Sequence, residues 1–300
     1  MPDGALPSPR RRRDARQRPR AIMFQNFYAP GQEKKLDPAF VAQDVIRDGR
    51  KEYWEIALFV KMYHAGQHLA AEYTGMVSPK FGEKTRISGA DFLRFVERHP
   101  GHDVYFINPY PINAYYAFNV WEHGEICHAG LITVAQDLFD RAGIGCDLAA
   151  LRRNSHATLL YCNYWLGNER FWDRFMAVIL RLLQAIDQMP SRARARLFAL
   201  DPNYPTAATL VPFIFERVFS TLLLLNPSLK GCPYPHSREY ILQSGAGAPD
   251  EPVIGASFMD VVDEIDRRGE YNERDMAIFR SLQQLKRRMN TRTFRHWLDR

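Results

Sequence analysis

An α/β domain followed by a helical C-terminal lobe is the fold class this sequence predicts, and three observations predict it. Short apolar runs that suit strands, at 21–28, 73–78 and 103–107, alternate with segments of helical spacing. From about residue 113 onward nearly every patterned segment reads as helix. The composition, 46% hydrophobic with 19 Phe, 14 Tyr and 5 Trp, supplies a large core and excludes a wholly disordered or fibrous chain. The 300 residues exceed one ordinary domain of ~100–200 residues, yet suit one large α/β domain with additions.

In chain order, residues 21–28 read as a first strand, and 36–46 and 52–64 as helices. Trp54, Leu58 and Met62 fall at i, i+4 and i+8 of the second helix. A strand over 73–78 is closed by Pro79. Ser88 opens a helix to Arg98, with Asp91 in its first turn. His99-Pro-Gly-His is a turn. Asp103-Val-Tyr-Phe-Ile is the clearest strand, broken by Asn108-Pro-Tyr-Pro. Helices are expected at 113–123, 131–141, 168–188, 191–199 and 209–225, with short strands at 157–161 and at Tyr240-Ile-Leu. Residues 245–252 form a linker, and 258–268 and 272–297 a charged helical tail. The strands at 21–28, 73–78 and 103–107 should be neighbours in one sheet.

The net charge of +6 belongs mostly to the first twenty residues, where seven arginines face Asp3 and Asp14. The remaining body is near neutral, so the basic balance does not imply a nucleic-acid groove. Residues 1–20 lack the apolar stretch of a secretory signal and read as a disordered arm or a mis-called start, with an anionic membrane surface as the alternative contact. No apolar run approaches the ~20 residues of a membrane span. Cys127, Cys146, Cys162 and Cys232 contain no CxxC pair, so free thiols and a reducing cytoplasm are expected.

Four segments and one helix carry candidate chemistry. Glu72-Tyr-Thr-Gly-Met-Val-Ser-Pro-Lys-Phe-Gly-Glu-Lys-Thr85 runs a strand into a loop. There Gly75, Ser78, Lys80 and Lys84 suit a diphosphate, or form a solvated turn; the GxxxxGK[ST] spacing is absent. Asp103 begins a buried strand that ends at Asn108. It is either a hydrogen-bonded structural carboxylate or a ligand for a hard cation such as magnesium or manganese. Asn119-Val-Trp-Glu-His-Gly-Glu-Ile-Cys-His128 lacks HExxH, which disfavours a zinc hydrolase. It leaves Glu122 and His128 as candidates to handle a substrate hydroxyl. Asn163, Tyr164 and Trp165 precede Gly167 in an aromatic-amide loop of the kind that contacts sugars. Glu216 lies beside Arg217 in a very apolar helix, either as a structural ion pair or as a buried carboxylate near a cleft.

These segments occur in an order that resembles the bacterial capsular and exopolysaccharide glycosyltransferases of the uncharacterised GT-A-like kind. The order is Arg50-Lys-Glu-Tyr-Trp-Glu-Ile, Tyr73-Thr-Gly with its basic loop, and the Asp103 strand. A helix ending in His128, Tyr161-Cys-Asn-Tyr-Trp, and Phe215-Glu-Arg-Val-Phe-Ser follow. The resemblance spans about residues 22–225. Where such relatives carry HYRRY, this chain reads Ser78-Pro-Lys-Phe-Gly-Glu-Lys, and lysines lack the bidentate fork of arginine.

The resemblance implies a GT-A-like nucleotide-diphospho-sugar transferase domain with a mixed sheet over 21–245, followed by the linker and C-terminal helices of 246–300. It implies transfer of a sugar from a nucleotide-activated donor to a saccharide or lipid-linked glycan, in the cytoplasm or at the inner face of the membrane. Gly75, Ser78, Lys80, Lys84, Asp103 and Asn108 would bind the donor, with magnesium or manganese at Asp103 and no organic cofactor. Glu122, His128 or Glu216 would be the base, and Asn163, Tyr164 and Trp165 would hold the acceptor. The rival class is a glycan- or nucleotide-binding protein on the same fold without catalysis. A nucleic-acid module would rest on the arginine arm alone, and a metallohydrolase would need tightly held zinc.

Overall fold

The computed structural model describes residues 19–48, 53–201, 208–245 and 251–298. All of the arginine arm except Pro19 and Arg20, and the 246–250 part of the linker, lie outside the described residues. The Pro19 and Arg20 carbonyls already accept the amides of Glu72 and Tyr73.

Six strands form one sheet. β1 (Ala21–Phe27) is followed by β2 (Val41–Asp44), α1 (Glu55–His64), β3 (Tyr73–Val77), α2 (Phe81–Thr85) and α3 (Gly89–Arg98). Then come β4 (Val104–Phe106), α4 (Asn113–Tyr116), α5 (Val120–Cys127), α6 (Leu131–Arg141), β5 (Trp165–Gly167) and α7 (Glu169–Asp187). The chain closes with α8 (Ser191–Leu197), α9 (Leu210–Leu225), β6 (Gly231–Pro233), α10 (Arg238–Gln243), α11 (Glu251–Arg268) and α12 (Glu273–Leu298). The strand order is β2-β1-β3-β5-β4-β6. β5 runs antiparallel to β3 and β4, and the remaining pairs are parallel. This is a mixed α/β architecture with a helical C-terminal part. The three expected strands share the sheet; β1 and β3 pair directly, and β5 separates β3 from β4.

The core is divided by the sheet. One face packs Phe59, Trp165, Trp172, Phe175, Ile179 and Phe219 beneath α1, α7 and α9. The opposite face packs Phe40, Phe81, Phe92, Phe95 and Tyr105 beneath α3. A third cluster joins Ile112, Tyr115 and Tyr116 to Met259, Val262, Ile265, Phe279 and Leu282, so α11 and α12 pack directly on α4. Among the described residues no helix is long and apolar enough to cross a membrane.

Local signals explain where elements begin. The Ser88 hydroxyl accepts the Asp91 amide at 3.1 Å and caps α3 as its sequence requires. Residues 36–46 are not a helix: Pro38 disfavours helical geometry at Asp37, and Val41–Asp44 pairs with β1 as an edge strand. Residues 157–161 are not a strand, because β5 begins only after a left-handed break at Cys162 and Asn163. Tyr240-Ile-Leu lies in α10, capped by Ser237, and the late strand is β6 instead.

Candidate active site

Because β5 alone is reversed, its entry lies at the same edge of the sheet as the exits of β3 and β4. Open α/β sheets bind ligands at that edge. β3 leaves through Ser78, β4 through Ile107 and Asn108, and β5 enters through Cys162, Asn163 and Tyr164. The Ile107 amide donates to the Tyr164 carbonyl at 3.0 Å. The Ser78 and Tyr164 hydroxyls are bonded at 2.7 Å. Tyr240 ties the neighbouring loops together by donating to the carbonyls of Lys84 (3.0 Å) and Pro109 (3.3 Å).

Cys162 and Asn163 are consecutive left-handed residues, at φ 65° and 51°. Asparagine tolerates this region better than most residues, but cysteine gains nothing from it. Two carboxylates hold the turn. Glu216 of α9 accepts the Cys162 amide at 2.8 Å, and Glu55, in the first turn of α1, accepts Asn163 Nδ2 at 2.9 Å. The turn aims the Asn163 carboxamide at Glu55 while burying it. Asn163 Oδ1 is left with no hydrogen-bond partner among the described residues, as are the buried Asn108 Nδ2 and Asn26 Oδ1 at the ends of β4 and β1.

The electrostatics of this edge are unusual. Burial pushes the Glu55 carboxyl up to about 7; the Asn163 bond opposes the rise, and the Glu216 charge adds to it. Lys84, on α2, donates to Cys162 Sγ at 3.2 Å and lies 5.8 Å from the centroid of the Tyr110 ring. Burial works against its charge, but Cys162, Tyr164 and Tyr110 outweigh burial and hold the ammonium above the usual lysine range. Burial pushes the Cys162 thiol up to about 12, so at neutral pH this contact joins an ammonium to a thiol. The result is a carboxyl titrating near neutrality, a fixed cation and amides each with one unpaired atom, carried by strand-end loops and by α1 and α2.

A polar layer supports the site from beneath. The Tyr161 hydroxyl bonds His123 Nδ1 at 2.9 Å. The buried Arg217 donates to the carbonyls of Val120 (3.0 Å) and Phe213 (2.6 Å). A β-carbon on Gly124 would come within 2.5 Å of Arg217 Nε, so glycine leaves the space that the guanidinium fills.

The structure brings together some of the residues singled out by sequence and scatters others. Ser78, Lys84, Asn108, Asn163 and Glu216 meet at this edge. Lys80 is exposed at the start of α2. Asp103 is at the opposite end of β4, and its carboxylate accepts from the Lys230 amide (2.9 Å), Asn168 Nδ2 (3.1 Å) and Arg170 Nη1 (3.1 Å). These structural bonds, not a donor, occupy it. Magnesium or manganese does not fit there, and no group of three His, Cys, Asp or Glu suited to a metal occurs among the described residues.

Gly75 serves strand packing, since a β-carbon there would be 1.8 Å from the Trp165 carbonyl oxygen. Trp165 has no face left for a sugar: it is wholly buried, stacked on Phe59 at 5.1 Å and edge-on to Trp172 at 4.8 Å. The Tyr164 ring is likewise buried, and only its hydroxyl reaches the strand-end loops. Glu122 turns toward α12, accepting from the Phe118 amide (3.1 Å) and from Gln283, and burial raises its carboxyl.

His128 bonds Asp201 through Nδ1 and stacks on Phe213 at 3.7 Å. Burial and the Arg217 charge lower its pKa to about 4 despite Asp201, so it is neutral. Glu125 caps the start of α6, accepting the amides of Gly130 and Ile132. The four cysteines, all among the described residues, form no disulfide with one another, and each is partly buried.

Glu55 was not singled out by sequence. Its only signal was its place in the Arg50–Ile56 segment, immediately after Trp54 at a helix start.

No family model matches the chain, and no curated protein does. A solved structure that resembles it is the apo form of WbbM, a bifunctional glycosyltransferase, at 14% identity and a TM-score of 0.40. The likeness covers 71% of this chain and 44% of the other, so the chain spans less than half the length of that structure. A likeness this distant leaves the chemistry to the side chains of the chain itself.

Proposed function

We propose that this chain is a glycosyltransferase that moves a sugar from a nucleotide-activated donor to a saccharide hydroxyl, as in the synthesis of bacterial surface polysaccharide. The observation that carries this reading is Glu55: a carboxyl raised to about 7 at the ligand-binding edge of the sheet, held by Asn163 and close enough to Lys84 to feel its charge. A general base is most effective when its pKa lies near the working pH. Glu55 takes the proton of the acceptor hydroxyl as its oxygen forms the new bond to the anomeric carbon. The bond from the anomeric carbon to the bridging oxygen of the diphosphate breaks, and the nucleoside diphosphate leaves with the electron pair. Lys84 offsets the charge that grows on the diphosphate, with Lys80 at the exposed mouth of the same loop. A base on the acceptor side makes inversion the expected stereochemistry.

One feature favours the rival reading of a protein that binds glycans or nucleotides without turnover: Asp103 is saturated by structural bonds, leaving the diphosphate to lysines. Incubation with a panel of nucleotide sugars and saccharides, with and without manganese, separates the two. Acceptor-dependent release of nucleoside diphosphate supports transfer. Thermal stabilisation by a donor with no release supports binding alone.

A further inference from the structure

Trp54 is a residue whose conformation and exposure the fold does not explain. The residue is 44% exposed, while Trp121, Trp165 and Trp172 are wholly buried. Its backbone, at φ 47° and ψ −129°, is in a region that side chains with a β-carbon avoid. It also occupies the cap position of α1, where Ser, Thr, Asp or Asn would satisfy a free amide, and its side chain makes no such bond. Exposure, strain and a missing cap each oppose stability, and strained residues of this kind cluster at ligand sites. The indole is steadied on one side by the Phe213 ring, edge-on at 6.4 Å. The next residue is Glu55, bonded to Asn163, whose buried Oδ1 has no partner.

We propose that Trp54 is the stacking platform for the acceptor, and that the acceptor is therefore a pyranose ring with an apolar C–H face rather than a simple alcohol or the phosphate of a lipid. This rests on the transfer reading for the identity of Glu55 as base. A planar indole offers its face to the C–H groups of one side of a pyranose. A ring so placed lies beside Glu55, the next residue in the chain, and one of its edge hydroxyls is the nucleophile that Glu55 deprotonates. Phe213 fixes the tilt of the indole and so the orientation of the sugar. The strained backbone turns the indole outward.

The test uses the full chain and two kinds of readout. Intrinsic fluorescence is titrated with cellobiose, lactose, maltose and gentiobiose. At least one should give a saturable change in emission, and Trp54→Phe, which keeps a smaller ring, should retain binding by calorimetry while losing most of that change. In steady-state transfer, Trp54→Ala should raise KM for the acceptor about tenfold or more while leaving KM for the donor unchanged, and Trp54→Phe should recover most of the loss.

Saturable saccharide binding that depends on Trp54, without any donor turnover, leaves the platform standing and removes the transfer reading. Transfer with an unaltered acceptor KM in Trp54→Ala does the reverse. The platform is also overturned if none of the four sugars gives a saturable change, or if Trp54→Ala alters both KM values equally. Normal melting of Trp54→Phe excludes misfolding as the cause.

Discussion

Glu55→Gln tests the electrostatics of the site without reference to any substrate. The amide has the shape of the acid and still accepts the Asn163 Nδ2 hydrogen bond through its oxygen, so only the ability to ionise is lost. The Glu55 carboxyl is raised from an ordinary 4.5 to about 7, mainly by burial. At about 1.4 kcal/mol per unit, ionising it in the fold costs about 3 kcal/mol more than in the unfolded chain. The sign follows from proton linkage. Between pH 4.5 and 7 the folded state keeps a proton that the unfolded chain has lost, so this group erodes stability as pH rises through that window. The variant escapes that erosion. Urea denaturation of both proteins from pH 5 to pH 8 should show the stability of Glu55→Gln relative to wild type rising by about 2–3 kcal/mol. A gap that stays constant across that range would refute the burial argument, and with it the assignment of Glu55 as a base tuned to neutrality.

Three other expectations concern individual residues. Lys84→Ala should lower kcat/KM for the donor by roughly 10²–10³-fold, the scale for removing a fixed stabiliser of developing charge, with Lys80→Ala smaller because that side chain is exposed; equal effects in steady-state kinetics would place the diphosphate elsewhere. Asp103→Asn should cost about 1–3 kcal/mol in urea denaturation, toward the lower end because Arg170 is half exposed. Burial opposes its ionisation, but the Lys230 amide, Asn168 and Arg170 hold the Asp103 pKa below the usual range, so its contribution should persist at neutral pH and fade as pH falls through that lowered value. Any metal dependence of transfer should be unchanged in this variant. Trp165→Ala should behave as a core cavity, costing about 3–5 kcal/mol by thermal or urea melting; a folded variant with normal stability and a raised acceptor KM would reverse that assignment.

The parts of this fold that were legible in the sequence depend on short-range chemistry. The Ser88 cap and the apolar run after Asp103 each act within a few residues, and each appears where the pattern places it; the helix expected over 52–64 begins only at Glu55, with Trp54 outside it at the cap. The misread parts depend on partners far away in the chain. Asp103 could be recognised as a carboxylate needing partners, but those partners are Asn168 and Arg170, at the start of α7, and Lys230, just before β6. Asn163-Tyr-Trp has the composition of a sugar-binding loop. The sequence could not show that Trp165 opens the central, reversed strand and is thereby enclosed by Phe59, Phe171 and Trp172.

Glu55 is the converse case. Nothing adjacent to it predicts a raised pKa, which arises from burial and from the charge of Glu216, brought to it by α9, against the opposing Asn163 bond. The left-handed pair at Cys162 and Asn163 was also invisible, because no glycine marks it. It is what turns the Asn163 carboxamide to the carboxylate.

Acceptor-dependent release of nucleoside diphosphate, compared between wild type and Glu55→Gln at pH 8, tests the central claim most directly. With a competent donor and acceptor, the wild type should release nucleoside diphosphate in step with glycoside formation, and the variant should be slower by about 10²–10⁴-fold while melting at least as high. Release by Glu55→Gln at the wild-type rate would contradict the account.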